Sequence, residues 1–219
     1  MAWDFAAEVH ALSGFDADSS STVDGVDTEE TFRVHTAQWL TDGAKEVINH
    51  LPPSLKEKCM AISPLTDGNG LDVDAFGEIL FVQRETGDST TIYAPCRRIP
   101  SMYGGMAGDS SSLMYYGTTT DPVYWIDGTG DASKLYVKPD PTANSDAKIF
   151  HISYPTVAYD AITITNFPSE AEYLVVLYAA IKATEYMMLS EEDQEVYAPQ
   201  LATLKQDYAQ GLSALKGGQ

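Results

Sequence analysis

Basic residues are scarce in this 219-residue sequence. Lysine and arginine together number 13, against 32 aspartates and glutamates, and the formal net charge is −19. The excess is spread along the chain, with 11 acidic and 4 basic residues in 1–60, 13 and 6 in 61–164, and 8 and 3 in 165–219. Because such a surface repels phosphates and anionic lipid head groups, we exclude sequence-specific nucleic-acid binding.

Long apolar runs are also missing. The most apolar segment is FPSEAEYLVVLYAAIKATEYMML, residues 167–189, and its charge-free core covers only 173–181. A bilayer span needs about 20 mostly apolar residues, so we predict no membrane segment. The start of the chain, MAWDFAAEVHAL, has no basic residue ahead of an apolar stretch and lacks the positive region of a secretory signal. We expect an intracellular protein, or one that leaves the cell within a larger particle.

The sequence has no cysteine pair at metal-binding spacing and no catalytic signature. The two cysteines, Cys59 and Cys96, stand 37 residues apart, and we predict two free thiols. The four histidines are scattered, at His10, His35, His50 and His151. None of the patterns GxSxG, HExxH, GxxxxGK[ST] and GxGxxG occurs. We therefore predict no catalytic residue, no metal and no cofactor.

Three stretches resemble sites only in part. In DGNGLDVDAFGE, residues 67–78, Asp67, Asn69 and Glu78 fall at the first, third and twelfth places of a calcium loop, but aspartate holds the sixth place, where glycine is needed. We expect a solvated turn. The adjacent Arg97 and Arg98 either dock on an acidic partner surface or a phosphate, or pair internally. The glycine-rich YGGMAGDSSS, 103–112, is predicted to be a mobile loop.

Helical periodicity marks the first 60 residues on both sides of a polar linker. A short helix is predicted over the first dozen residues and ends at Gly14. The linker at 15–27 is rich in serine and aspartate, and we expect it to be exposed or disordered. Asp27 with Glu30 forms a capping pattern for an amphipathic helix that ends at Pro52.

Residues 61–164 are predicted to form short strands separated by turns. Runs such as EILFVQRE, PVYWIDG and KIFHISYPTV alternate in polarity or are rich in β-branched residues, and Gly, Asp, Ser and Pro lie between them. The last predicted strand is AITIT. We expect five to seven strands that form a small barrel or sandwich inserted between helices.

Residues 165–219 predict two helices. The first begins at Pro168 and is apolar nearly all round, so it must be buried on most sides. Ser190 with Asp193 caps the second, and Pro199 is predicted to kink or split it. Beyond Pro199 a single apolar seam packs either on the preceding helix or on a neighbouring copy.

The predicted fold class is therefore α+β. A helical bundle is built from an N-terminal part, 1–60, and C-terminal helices, 165–219, with the β-rich insertion at 61–164 between them. Six positions on the long helices are predicted to lie in the core or in an interface between copies: Trp39, Val47, Leu174, Tyr178, Ile181 and Met188.

The pieces follow one another in a distinctive order. The helix WLTDGAKEVINHLPP precedes a tyrosine-rich β region with CRRIPSMYGG and PVYWIDG; then come KIFHISYPTV, the helical ITNFPSEAEYLVVLYAAIKATEYMM and a polar last helix. This layout resembles the head-to-tail adaptor proteins of tailed bacteriophages, especially the marine and cyanophage type. The resemblance covers most of the chain and concerns layout rather than a short motif.

The resemblance implies a structural virion protein of the neck, made in the host cytoplasm, and not an enzyme. Such proteins form a ring, commonly of twelve copies, that binds beneath the portal, extends the DNA channel and docks the tail. The implied partners are other copies of the chain, the portal protein, a tail or neck protein, and double-stranded DNA that passes without specific contacts. In such a ring, one face of the apolar helix packs inside the subunit and another against its neighbour.

Carried onto this sequence, the helices at 28–51 and 169–188 form the ring wall. Residues from about 200 onward form an arm that docks on the portal, with apolar side chains at Leu201, Leu204, Tyr208, Leu212 and Leu215. Two hypotheses accompany this assignment. Carboxylates line the channel and repel DNA phosphates, and the linker and the C-terminal end become ordered only on assembly.

Other interpretations stay open at this point. Another ring of the tail or neck, such as a terminator or nozzle, is expected to have more β structure and less C-terminal helix. A small acidic enzyme would use carboxylates such as Asp72, Asp74 and Glu78, although their spacing singles out no acid and base pair. A calcium- or carbohydrate-binding module is the remaining alternative.

Overall fold

The computed structural model of the protein describes residues 4–15, 29–87, 90–129, 132–190 and 194–217. The chain separates into two compact units. The helical unit consists of Met1–Cys59 and Tyr154–Gln219, and the β unit is the intervening segment Met60–Ser153. The chain therefore leaves the helical unit once and returns to it once.

Within the described ranges, the helical unit has five α-helices: α1 Phe5–Ser13, α2 Glu29–His50, α3 Pro53–Lys56, α4 Glu172–Ser190 and α5 Gln194–Gly217. Asp4 caps α1 by accepting a 2.8 Å hydrogen bond from the Ala7 N–H. Gly14, at φ 77°, ends α1 in the left-handed conformation as predicted. Helix α2 ends ahead of Pro52, also as predicted. The predicted caps at Asp27 and Asp193 lie outside the described residues.

Helix α4 is the centre of the helical unit. It contacts α1, α2 and α5. Its buried residues lie all round the helix: Leu174, Val175, Val176, Leu177, Ala179, Ala180, Ile181, Ala183 and Thr184. We expected one face of this helix to need a neighbouring copy, but most of its surface is covered within one chain. The difference comes from α1, because this short helix packs on α4 as a third partner beside α2 and α5.

Helix α5 runs through Pro199 without a break. The predicted split is therefore wrong. The first four N–H groups of a helix have no partner within it. Pro199 is the sixth residue of α5, so its missing N–H removes one hydrogen bond, close to the start of the helix. The Thr203 hydroxyl donates a 3.1 Å hydrogen bond to the Pro199 carbonyl one turn later.

Within the described ranges, the β unit contains two open four-stranded sheets. Its strands are β1 Met60–Leu65, β2 Leu71–Asp72, β3 Ile79–Glu85, β4 Tyr93–Pro95, β5 Arg97–Arg98, β6 Val123–Thr129, β7 Ala132–Lys138 and β8 Ala147–Ile152. The first sheet has the order β1-β8-β3-β4 and the second the order β2-β7-β6-β5. All neighbours are antiparallel except β5 and β6, which are parallel. Eight strands exceed the predicted five to seven by one, and two of the eight, β2 and β5, are only two residues long.

Side chains of both sheets meet in one hydrophobic core. The buried members are Leu65, Val73, Val82, Tyr124, Leu135, Val137, Ala147 and Ile149. The α+β fold class is thus confirmed. Neither sheet closes on itself, so the β unit is not a closed barrel, and two sheets that share a core form a sandwich.

Two predictions in and beside the β region are wrong. The AITIT run has no strand, and the last strand ends at Ile152. The backbone of this run bonds to α1 instead, because the Ala161 carbonyl accepts a 2.9 Å hydrogen bond from the Phe5 N–H at the start of that helix. The glycine-rich stretch is not a loop throughout, because Ser101–Gly108 forms a 3-10 helix. It packs against Trp125 so closely that a Cβ on Gly104 would lie 2.5 Å from the indole nitrogen.

Candidate assembly surfaces

The six positions predicted for the core or an interface divide into two groups. Val47, Leu174 and Ile181 are buried within the helical unit. The other three, Trp39, Tyr178 and Met188, are half-buried at the rim of that core. Gly43 on α2 lets Tyr178 approach closely, since a Cβ on Gly43 would lie 3.0 Å from the tyrosine ring. The first group therefore stabilises one chain, whereas the second retains surface for a partner.

Trp39 belongs to an aromatic cluster that joins three parts of the chain. Its ring lies 5.5 Å from Phe15, 5.9 Å from His35 and 5.9 Å from Tyr186, measured between centroids. Phe32 completes the cluster, 5.4 Å from Phe15. Phe15 is the first residue of the predicted exposed linker, yet it is buried, because aromatic rings surround it. The rest of that linker, 16–27, lies outside the described residues.

The seam of α5 packs on α4 of the same chain. Leu204 is buried, and four more residues on its side of the helix are half-buried: Leu201, Tyr208, Leu212 and Leu215. The Tyr208 ring lies 6.1 Å from Tyr178, and a Cβ on Gly211 would lie 2.5 Å from Leu174. Of the two partners considered for this seam, the preceding helix is the one it contacts. The outer side of α5 remains exposed and is mostly small and polar.

Ion pairing adds to the contact between α4 and α5. Glu185 accepts hydrogen bonds from Lys182 at 3.0 Å and from Lys205 at 2.9 Å. Partial burial acts to raise the pKa of Glu185, but the two lysines outweigh it and hold that pKa below its usual value. Only the Lys205 pair joins the two helices, and because all three side chains are partly exposed, both pairs contribute little to stability.

Two apolar depressions lie on the helical unit outside its core. The first, of about 340 Å³, lies between α1 and α4 and is lined chiefly by Ala11, Leu12, Tyr173 and Val176. Glu8 stands at its edge; burial raises the pKa of this carboxyl, and the neighbouring Glu172 and Asp4 raise it further. The second, of about 330 Å³, is lined by Glu185, Met188, Leu189 and Leu201. Apolar surface of this kind marks sites where another polypeptide packs.

The outer face of the first sheet carries a row of apolar side chains that the sequence analysis did not predict. Ile62, Phe150 and Phe81 are direct neighbours across β1, β8 and β3. The rings of Phe81 and Phe150 stack at 4.1 Å, while Ile62 and Phe81 remain exposed. The signal was present in β8, AKIFHI, where apolar residues occupy both alternating positions. A strand with both faces apolar indicates cover on both sides.

A second apolar surface of the β unit follows the 3-10 helix. Its exposed side chains are Met102, Met106, Leu113 and Met114. Arg97 supports this segment by donating to the Met114 carbonyl at 3.0 Å, and it pairs with Asp121 at 3.3 Å. Arg97 therefore pairs within the chain. Internal pairing was one of the alternatives that the sequence left open for this arginine. Methionine side chains adapt their shape readily and are common on protein-binding surfaces.

The acidic residues that resembled a site form turns. Asp67 accepts hydrogen bonds from the backbone and side chain of Asn69, and Asp74 accepts from the Ser133 N–H at 2.9 Å. Within the described ranges, no three His, Cys, Asp or Glu side chains come together as metal ligands would. Over the same ranges, no helix combines the length and the apolar character needed to cross a bilayer.

We expect both thiols to resist labelling in the folded protein. Burial raises the pKa of Cys59 to about 11 and that of Cys96 to about 12. A raised pKa leaves less of the nucleophilic thiolate at pH 8, so labelling with a disulfide reagent is slow until denaturant exposes the thiols. Two equivalents of fast labelling without denaturant would contradict this prediction.

The similarity of this chain to known proteins lies at the level of a family. No curated protein matches the chain significantly. A family comparison matches residues 16–219, which include the whole β unit and all of the helical unit beyond residue 15, to the family described as SU10 adaptor protein. This family is structural rather than catalytic. The chain therefore belongs to the SU10 adaptor protein family, the phage head-to-tail adaptors.

Proposed function

We propose that copies of this chain form a ring beneath the portal, commonly of twelve copies, which extends the DNA channel and docks the tail. The protein then resides in the neck of the virion after synthesis in the host cytoplasm. Its partners are further copies of itself, the portal protein and a tail or neck protein. Family membership supports the adaptor role, and the surfaces of the two units support the finer assignment.

The observation that carries the ring is the apolar depression between α1 and α4. Leu12 and Tyr173 there are 37% and 49% exposed, although α1, α2 and α5 cover most of α4 within the chain. A neighbouring subunit that packs in this depression removes the exposed apolar surface from water. In a closed ring each copy both offers the depression and fills that of the next copy, so a single pair of surfaces serves every interface.

Charge supports the passage of DNA without specific contacts. The helical unit, which contributes the proposed wall, has 20 aspartates and glutamates against 7 lysines and arginines. Carboxylates on a channel wall repel DNA phosphates and so prevent the duplex from adhering during ejection. A ring whose lumen is neutral or basic would contradict this part of the proposal.

The two docking partners of the ring are assigned to different elements. We assign portal docking to α5, whose apolar seam holds it on α4 and leaves its small, polar outer side free. The apolar row of Ile62, Phe81 and Phe150 is assigned to the tail or neck partner. The 24-residue α5 also favours the adaptor over a terminator or nozzle, for which we expect less C-terminal helix.

Electron microscopy of the purified protein mixed with the portal ring of its own virus tests the proposal. We expect a second ring stacked coaxially under the portal, and its symmetry gives the copy number. Portals that stay bare at a saturating concentration of the protein would contradict the adaptor role.

A pair of charge substitutions separates the subunit interface from the rest of the surface. Leu12→Glu places a carboxylate in the proposed interface, so we expect ring formation on the portal to fall at least tenfold, which corresponds to about 1.4 kcal/mol. Val34→Glu introduces the same charge on α2, at a side chain that is 60% exposed, and leaves ring formation unchanged. Equal ring formation by the two variants would place the interface elsewhere.

A further inference from the structure

The β unit contains a pocket of about 410 Å³ that the adaptor role does not use. It lies between the 3-10 helix Ser101–Gly108 and the outer face of β6 and β7. Its volume falls within the range of about 300 to 1,000 Å³ that is typical of small-molecule sites. All its lining residues belong to the β unit, and the site is therefore complete within one chain.

An aromatic pair with a charged group on each side forms one wall of the pocket. Trp125 and Tyr136 are partners across β6 and β7, with ring centroids 5.5 Å apart and planes at 18°. Asp127 follows two residues along β6, and Lys138 follows two residues along β7. Because these strands are antiparallel and side chains alternate between faces, the carboxylate and the ammonium group lie at opposite ends of the pair.

Two polar groups on this wall have no partner in the described part of the chain, whereas the Lys138 ammonium group pairs with the Asp140 carboxylate at 2.5 Å. Trp125 is only 8% exposed, yet its indole N–H makes no hydrogen bond with any described residue. The Asp127 carboxylate likewise forms neither a hydrogen bond nor an ion pair with the described part of the chain. The indole nitrogen is not sealed from solvent, so a ligand in the pocket can reach it. The pocket thus presents a free donor beside a free acceptor.

The opposite wall is built from glycine. A Cβ added to Gly105 or Gly108 would meet no atom within 4 Å, and neither glycine has a positive φ. Backbone conformation and packing therefore do not require glycine at these two positions. What glycine provides is open space, which lets a ligand approach the 3-10 helix and the aromatic wall together.

We propose that this pocket binds a neutral sugar ring. Sugar hydroxyls both donate and accept hydrogen bonds, so they can pair with Asp127 as acceptor and with the Trp125 N–H and the Lys138 ammonium group as donors. The C–H face of the ring suits the aromatic pair. An anionic ligand is disfavoured by the net charge of −19 on the chain.

Saturation-transfer NMR on the full-length protein tests this proposal. The probes are glucose, galactose, mannose and N-acetylglucosamine, each at about 10 mM, which populates complexes with a millimolar Kd. Adenine serves as a planar probe that contains no sugar ring. We expect at least one sugar to receive saturation. No transfer to any of the four sugars, or transfer to adenine alone, would overturn the proposal.

Substitutions in and near the pocket test whether the saturation transfer comes from a ligand bound there. Gly105→Leu fills the open space without a clash and is expected to abolish the transfer. Ser110→Leu adds the same side chain to an exposed position of the same surface segment, outside the pocket, and is expected to leave the transfer unchanged. Trp125→Phe keeps an aromatic ring but removes the N–H, and we expect at least a threefold weaker Kd. Unchanged transfer in Gly105→Leu, with circular dichroism that matches the parent protein, would contradict the assignment.

Discussion

Replacing Leu174 with alanine is expected to lower the free energy of unfolding of the helical unit by about 2 to 5 kcal/mol. Leu174 is fully buried in the first turn of α4, and its side chain also packs under α5 at Gly211. Removal of its methyl groups loses the transfer free energy of the buried carbons and leaves a cavity between helices that are held at close distance by Gly43 and Gly211.

The same substitution on the surface of α4 provides the control. Leu189→Ala changes the same atoms at a position that is 85% exposed, so its effect is expected to stay within about 0.5 kcal/mol. Urea unfolding followed by far-ultraviolet circular dichroism, together with amide exchange of α4, measures both variants. Similar free energies for the two would show that Leu174 is not part of a tightly packed core.

Replacing Gly117 with alanine is expected to destabilise the β unit by about 1 to 3 kcal/mol. An added Cβ would lie 2.5 Å from the carbonyl oxygen of Lys138 and 2.9 Å from its carbonyl carbon. These are backbone atoms and cannot rotate away. The Gly117 N–H is also tied to the Ala107 carbonyl by a 3.0 Å hydrogen bond, so the residue cannot shift without breaking that bond.

Gly105→Ala is the matched control for this prediction, since its Cβ meets nothing within 4 Å. We expect its stability to stay within about 0.5 kcal/mol of the parent protein. Amide exchange of β6 and β7 resolves the effect, with faster exchange in Gly117→Ala and parental rates in Gly105→Ala. Equal protection in the two variants would mean that the close approach to Lys138 is relaxed at little cost.

Much of the architecture follows from local patterns in the sequence. The ends of α1 and α2 are set by Gly14 and Pro52, because a left-handed glycine and a proline act on the backbone at their own positions. The alternation of KIFHISYPTV locates β8, and the absence of charge from 173 to 181 marks the helix that becomes the centre of the bundle. The layout also sufficed to recognise the adaptor family.

Other features depended on distant parts of the chain. Strand patterning predicted AITIT as β structure, but the start of α1 engages the backbone of that segment. Serine and aspartate around Phe15 predicted exposure, whereas rings from α2 and α4 bury it. The apolar row of Ile62, Phe81 and Phe150 required the register of three strands that are far apart in sequence.

The sequence by itself determined the fold class, the C-terminal ends of α1 and α2, the acidic character and the family. Each of these depends on composition or on residues within a few turns of one another. Only the tertiary structure decided which apolar surfaces are covered, that α1 completes the packing of α4, and that Trp125 and Asp127 line a pocket with free hydrogen-bonding groups. Burial and hydrogen-bond pairing depend on which residues are neighbours in space. Periodicity along the chain does not determine which residues from distant parts of the sequence come into contact.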